Sequence, residues 1–148
     1  MENGKVLAVN SIARIEHVEI DSKDLNQGFE KFAQHLNQNA LSWPQLLSSA
    51  FAAGKTSMIV ACDPEWLDAL LRTLERSGDL RRQRETSSSV SLACYGSVSS
   101  DLPFKALQTL HQHGIVADKC VLSPHSVNLF VPVKNREAAV KALHSLIH

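Results

Sequence analysis

The segment "SVNLFVPVKNREAAVKALHSLIH" (residues 126–148) decides the fold that the sequence predicts. It predicts a strand over Ser126–Val133 and a helix over Arg136–Ile147, with Asn135 as the helix N-cap. A helix of this kind usually leads back into a sheet, but no strand follows it in the sequence. Because an open sheet edge exposes backbone donors and acceptors that proteins usually cover, we expect another part of the chain to close this sheet.

Strands and helices alternate through the rest of the chain. The second helix has the clearest signals, because Asp63 is a good N-cap, Pro64 suits the first helical position and Gly78 fits the stop. The second half repeats the order of elements at an offset of about 72 residues, which indicates a weak internal repeat. The predicted strands are Lys5–Asn10, Ile12–Ile20, Pro44–Phe51, Lys55–Ala61, Leu80–Thr86, Val90–Gly96 and Val116–Ser123, and the other helices are Leu25–Ala40, Pro64–Ser77 and Leu102–His113.

Each repeat has the order β-α-β-β-α, which one further strand would close into a ferredoxin-like βαββαβ unit. Leu80–Thr86 can close the first copy. The N-terminal strand Lys5–Asn10 can close the second copy, so that residues 11–86 form a unit inserted into residues 87–148. The alternative is that Lys5–Asn10 simply extends into the next strand of the first unit. The fold class predicted is therefore α+β, with two such units.

Composition narrows the classes of function. The 148 residues include 15 Lys+Arg and 15 Asp+Glu, so the formal charge is zero and the basic stripe of a nucleic-acid binder is not expected. No apolar run is long enough to span a membrane, and the N-terminus lacks a signal-peptide pattern. The cysteines Cys62, Cys94 and Cys120 form no close pair, so we expect buried, inert thiols in a cytoplasmic protein.

Several segments resemble catalytic or ligand-binding motifs but lack residues that those motifs require. The "GKTS" segment (residues 54–57) lacks the earlier glycine of a phosphate-binding loop and precedes a predicted strand, not a helix. The seven histidines give no convincing metal-ligand set, and no Gly-x-Ser-x-Gly elbow supports a hydrolase. The serine-rich loop before the third helix could bind an anion at Ser99 and Ser100, although helix capping by Ser100 or Asp101 is the alternative.

Two stretches make the chain resemble the paired ACT domains at the C-terminus of aspartokinase, most closely the lysine-sensitive monofunctional type. One is "NQGFEKFAQHLNQNALSWPQLLSS" (residues 26–49), which is similar to the first helix and second strand of that family's first ACT unit. The other is "SPHSVNLFVPVKNREAAVKALHSLIH" (residues 123–148). Within it, the matching positions are His125, Leu129, Phe130, Val131, Pro132 and Leu143–Ser145.

The resemblance implies an effector site between the start of the first helix and the second strand. A helix N-terminus suits an amino-acid carboxylate, and a glycine there lets the backbone approach closely. Phe29 could instead be a core residue, and Ser48–Ser49 a plain strand end. The sequence departs from the family at "SWP" (residues 42–44), at "AAG" (residues 52–54) and at Gln45, where the family tends to have an acidic residue. The implied residues are Asn26, Gly28, Phe29, Pro44, Gln45, Ser48 and Ser49.

What the resemblance implies is a regulatory part of an aspartate kinase, detached or separately produced. Its effector would be lysine, or else threonine, bound across a homodimer. No cofactor is expected in this chain, since ATP and Mg would belong to the aspartate kinase catalytic domain, which the sequence lacks. Three alternatives stay open: a stand-alone sensor that regulates another protein, a ferredoxin-like RNA-binding module, and a small α/β enzyme. The RNA-binding module would need stacking aromatics in basic surroundings, but Tyr95 has no basic neighbours.

Overall fold

The computed structural model describes residues 3–63, 65–66, 68–70, 72, 78, 80–82 and 87–147. The chain divides into two compact units. The terminal unit comprises Met1–Ala13 with Ser87–His148, and the central unit comprises Arg14–Thr86. Both combine helices with antiparallel strands, so the predicted α+β class is confirmed.

Strand β1 (Val6–Asp21) is the longest of the elements described in full. The sequence predicted two strands here, Lys5–Asn10 and Ile12–Ile20, and this division is wrong because the backbone stays extended through Ser11. The first half of β1 belongs to the terminal unit and the second half belongs to the central unit.

The central unit has the strand order β2-β3-β1-β4, where β2 is Gln45–Ala52, β3 is Lys55–Ala61 and β4 is Leu80–Arg82. All neighbouring strands in this order are antiparallel. Apolar side chains of the strands, of helix α1 (Leu25–Gln38) and of the second helix form the core. Its buried members are Val18, Ile20, Phe32, Leu36, Met58, Val60 and Leu70.

Helix α1 ends at Gln38, two residues before the predicted end. Ala40 has a left-handed φ of 52°, and the N–H of Leu41 donates to the carbonyl of Leu36 at 2.8 Å, which closes the last turn. The strand predicted from Pro44 begins at Gln45 instead, since proline has no N–H to donate to a neighbouring strand.

The second predicted helix is described only in part: residues 65–66, 68–70 and 72 are helical. The predicted cap is confirmed, because the Asp63 carboxylate accepts from the N–H of Trp66 at 2.7 Å. Pro64 and residues 73–77 lie outside the described residues, so the predicted bounds of this helix stay predictions. The same holds for residues 83–86 of the predicted strand Leu80–Thr86.

The terminal unit has the strand order β1-β5-β7-β6, where β5 is Ser87–Cys94, β6 is Lys119–Ser123 and β7 is Ser126–Pro132. Helices α2 (Leu102–Gln112) and α3 (Arg136–Leu143) complete it. Among its described residues, the buried members of the core are Val6, Val90, Leu92, Cys94, Leu102, Ala106, Leu110, Ile115, Val127, Leu129, Val131, Ala139 and Leu143.

Strand β5 differs from the predicted strand Val90–Gly96 at both ends. It begins three residues earlier, and its serines Ser87–Ser89 are buried opposite Phe130–Pro132 of β7. The hydroxyl of Ser88 donates to the carbonyl of Val131 at 3.2 Å, so this burial leaves the hydroxyl paired. A run of serines gives no strand signal in the sequence, which explains the error.

Two further boundaries and one predicted helix cap in the terminal unit are corrected. The strand predicted at Val116–Ser123 spans only Lys119–Ser123, because the chain first packs Ile115 into the core after the turn at Gly114. Helix α3 ends at Leu143 and continues as a 3₁₀ turn, short of Ile147. Asn135 makes no side-chain cap bond, since it ends a preceding 3₁₀ turn in αR geometry.

Candidate functional site

The start of α1 carries three of the predicted effector residues. Asn26 is exposed and Phe29 is half-buried, but Gly28 is buried against strand β3. A Cβ atom on Gly28 would lie 2.0 Å from Oγ1 of Thr56. The close approach predicted for a ligand at Gly28 is therefore made by the side chain of Thr56.

Thr56 ties the loop before α1 to strand β3. It is fully buried, its Oγ1 lies 2.7 Å from Oγ of Ser22, and it donates to the carbonyl of Asp24 at 3.4 Å. Thr56 belongs to the "GKTS" segment, which begins a strand as the sequence predicted. The preceding residue, Lys55, forms an ion pair with Glu19 at 2.8 Å.

The N-terminus of α1 already holds a carboxylate of the chain. Asp24 accepts from the N–H of Gln27 at 2.7 Å, and Gln27 Oε1 accepts from the N–H of Lys23 at 2.7 Å. This arrangement is close to a capping box. The N–H of Gly28 donates to the carbonyl of Asp24. The N–H groups of Leu25 and Asn26, at the first two helical positions, have no intrahelical acceptor. An effector carboxylate would thus share this end of the helix with Asp24.

The candidates on β2 are divided between the two faces of the sheet. Ser49 pairs with Met58, whose side chain is in the core beneath α1. Ser48 pairs with Ile59 and Gln45 pairs with Ala61, and these partners alternate with the core residues of β3. Since paired residues on antiparallel strands share a face, only Ser49 lies on the α1 side. A register shift between Leu46 and Ser48 accompanies this division.

Trp43 is a residue of this region that the sequence did not single out. Its ring stacks on Phe29 with centroids 5.7 Å apart and lies 5.2 Å from the ring of Phe32. Phe29 also packs against the core of the central unit, while Trp43 remains 46% exposed. The signal that could have found it was "SWP" (residues 42–44), where the sequence departs from the family.

The serine-rich loop of the terminal unit leads into α2 through Asp101. Asp101 is at the N-cap position but makes no side-chain cap bond, so the predicted capping by Asp101 is wrong. Its carboxylate instead pairs with Nζ of Lys105 at 2.8 Å. This hydrogen bond from Lys105, assisted by one from Ser99, lowers the pKa of Asp101.

We expect a titration of Asp101 by NMR to give a pKa below the usual aspartate value. A lowered folded-state pKa means that the contribution to stability is present above the unfolded-state pKa and is lost as pH falls through the folded-state value. Both side chains are exposed, so the effect on stability is small. Lys105→Met should move the pKa back towards its ordinary range. An unchanged pKa in that variant would contradict the role given to Lys105.

The expectation that the cysteines are buried holds only in part. None of the three cysteines forms a disulfide, and burial raises the pKa of the Cys94 thiol. Cys120 is exposed on β6, so the expectation that it is buried is wrong. Within the described residues, no group of three or more His, Cys, Asp or Glu could hold a metal ion. In the same part of the chain, no helix is both long and apolar enough to cross a membrane.

Comparisons with known proteins found similarity in structure alone. No protein family and no curated protein matches the sequence. The regulatory subunit of aspartate kinase from Thermus flavus superposes with a TM-score of 0.65 at 20% identity, covering 96% of this chain and 98% of that one. Clostridium acetobutylicum aspartate kinase superposes with a TM-score of 0.68 at 11% identity, covering all of this chain and 36% of that enzyme. A Vibrio cholerae protein of unknown function superposes with a TM-score of 0.60 at 14% identity.

These identities establish a common fold and nothing finer. The chain is similar in fold to regulatory, ACT-type domains of aspartate kinase. It spans about a third of the Clostridium enzyme but nearly all of the separate Thermus subunit.

Proposed function

We propose that this chain is a regulatory module of the aspartate-kinase type, which binds a small effector and has no catalytic role of its own. The observation that carries the proposal is the match in fold, over almost the full length of both chains, to the regulatory subunit of the Thermus flavus aspartate kinase. Because fold alone does not fix function, the effector and the partner need separate support.

The proposed architecture is a pair of ACT units with the first, residues 11–86, inserted into the second, residues 87–148 completed by strand 5–10. The division of the chain, which groups Met1–Ala13 with Ser87–His148, supports it. Two backbone hydrogen bonds also support it: Gly4 donates to Tyr95 at 2.7 Å, and Tyr95 donates to Lys5 at 2.8 Å.

The proposed effector site lies on the central unit, around Asn26, Phe29 and Ser49. The carboxylate of an amino acid would use the N–H groups at the start of α1. Gln45 and Ser48 lie on the other face of β2, and Gly28 contacts Thr56, so these three act at most indirectly. Pro44 is half-buried beside Trp43 and would shape the loop at the end of the site.

Dimerisation is proposed through the edge strand β2. This strand is at the end of the central unit's strand order, and its sequence "QLLSSAFA" contains no charged residue. Charged residues and proline are the usual protection of an edge strand against pairing with another chain. A second copy paired antiparallel along β2 would satisfy the open edge without bringing like charges together.

Lysine is the first effector to test, and threonine is the second. In the full assembly, the effector would bind one arrangement of the dimer more tightly than another and so bias an aspartate kinase catalytic domain, which would hold ATP and Mg. Such couplings are typically about 1–3 kcal/mol. We place this system in the cytoplasm. A stand-alone sensor acting on another protein is the second candidate, favoured by the match to a separate regulatory subunit.

The test is titration calorimetry of the 148-residue chain with lysine, threonine and methionine, combined with sedimentation. We expect lysine to bind and to raise the dimer fraction. Threonine binding with dimerisation would keep the regulatory proposal and change the effector. If no amino acid binds and sedimentation is unaltered, the proposed function is wrong, although the fold is unaffected.

A further inference from the structure

The half-exposed indole of Trp43 contacts Phe29, a residue of the proposed effector site, and the resemblance to aspartokinase gives Trp43 no role. Its ring packs against two side chains of α1, with an interplanar angle of 28° to Phe29 and of 52° to Phe32. Of the residues around it, Phe29 belongs to the proposed site, and Pro44, which follows Trp43 in the chain, lies at the end of that site. The indole is thus fixed in place, and 46% of the residue stays accessible.

The Asp24 carboxylate at the start of α1 already accepts from the N–H of Gln27, which it caps. Gln45 is neutral, and it lies on the face of β2 that is directed away from α1. An amide oxygen binds an ammonium group less strongly than a carboxylate does. An effector with a positive side chain therefore needs another partner on the α1 side of the sheet.

An indole can supply that partner. The face of an aromatic ring attracts a cation within about 6 Å of its centroid, and tryptophan does so more strongly than tyrosine or phenylalanine. Contacts with Phe29 and Phe32 fix the orientation of the ring before a ligand arrives, so less conformational entropy is lost on binding.

We propose that Trp43 binds the side-chain ammonium of the effector by a cation–π contact. This inference rests on the proposed function and narrows the effector class to amino acids with a cationic side chain. It makes Trp43 the residue that determines specificity. The carboxylate of the same ligand would lie towards Asn26, at the start of α1.

The decisive experiment compares three ligands on the unmodified chain by calorimetry. They are L-lysine, Nε-trimethyl-L-lysine and L-norleucine, which has the same chain length without the charge. A cation–π contact accepts a quaternary ammonium, whereas a site that accepts hydrogen bonds from an ammonium finds no N–H donor on the trimethylated ligand. We expect trimethyl-lysine to bind at least as tightly as lysine, and norleucine to bind about 2- to 30-fold more weakly.

A second measurement uses variants of the aromatic cluster formed by Phe29, Phe32, Trp43 and Trp66. Trp43→Leu should weaken lysine binding about 2- to 30-fold, and Trp43→Phe should weaken it less, because phenylalanine keeps a ring face. The matched control is Trp66→Phe, which removes the other indole of the cluster, 6.4 Å from Phe32. In that variant, lysine should still quench the emission of Trp43, now the only tryptophan.

The outcomes separate this inference from the proposed function. If lysine binds but trimethyl-lysine does not, or if Trp43→Leu binds lysine unchanged, the cation–π contact is wrong while the regulatory function stands. If only neutral amino acids bind, the inference is wrong and the regulatory function again stands. If no amino acid binds, both are wrong.

Discussion

Gly28→Ala is expected to lower the free energy of unfolding of the central unit by roughly 3 kcal/mol, at the upper end of overpacking effects in well-packed cores. The new Cβ would lie 2.0, 2.4 and 2.7 Å from the side-chain atoms of Thr56. Thr56 cannot retreat easily, because it is fully buried and bonded to Ser22. Helix α1 must therefore shift away from β3.

Urea unfolding followed by tryptophan fluorescence measures this effect directly, since both tryptophans, Trp43 and Trp66, are in the central unit. Gly78→Ala is the matched control, because a Cβ there would meet nothing within 4 Å. We expect that control to be neutral or slightly stabilising, as an alanine restricts the unfolded chain. Equal unfolding midpoints for the two variants would mean that Thr56 does not pack on α1.

Val6→Asp is expected to destabilise the terminal unit by several kcal/mol, because it buries a carboxylate in an apolar core. Val6 is 2% exposed and packs among Val90, Leu92 and Leu129. Hydrogen exchange is the suitable measurement, since the tryptophans report only on the central unit. Exchange should accelerate in β5 and β7 more than in β3.

Leu7→Asp is the matched control for this prediction. It introduces the same residue, aspartate, at the next position of the same strand, where the leucine is 44% exposed. We expect little change in exchange. Similar protection of β5 in both variants would contradict the proposed insertion, in which the N-terminal strand completes the second unit.

The sequence predicted the elements of the fold well wherever local signals are strong. The capped helix after Asp63 is an example, because carboxylate caps and apolar periodicity are properties of a few neighbouring residues. Boundaries failed where tertiary contacts decide them. Ser87–Ser89 form a strand only because β7 lies opposite, and no local pattern records that pairing.

The candidate site was predicted less well, for a related reason. A glycine early in a helix indicates that something approaches the backbone closely, but the sequence does not say whether it is a ligand or Thr56. Likewise, the adjacent serines Ser48 and Ser49 look like a pair until the strand register places them on opposite faces. Trp43 was missed because its neighbour Phe29 is distant in sequence.

The single strand β1 has a consequence for how the chain folds during synthesis. The hydrogen bond between Gly4 and Tyr95 closes a loop of about 90 residues. Contacts between residues so far apart in sequence are slow to form. On the ribosome, the first residues of β1 emerge long before β5 exists, while the central unit can already be complete. The N-terminal strand must wait unpaired during that interval. Val6 and Val9 are exposed to solvent while the strand is unpaired. Chaperone binding or aggregation would therefore begin at this strand.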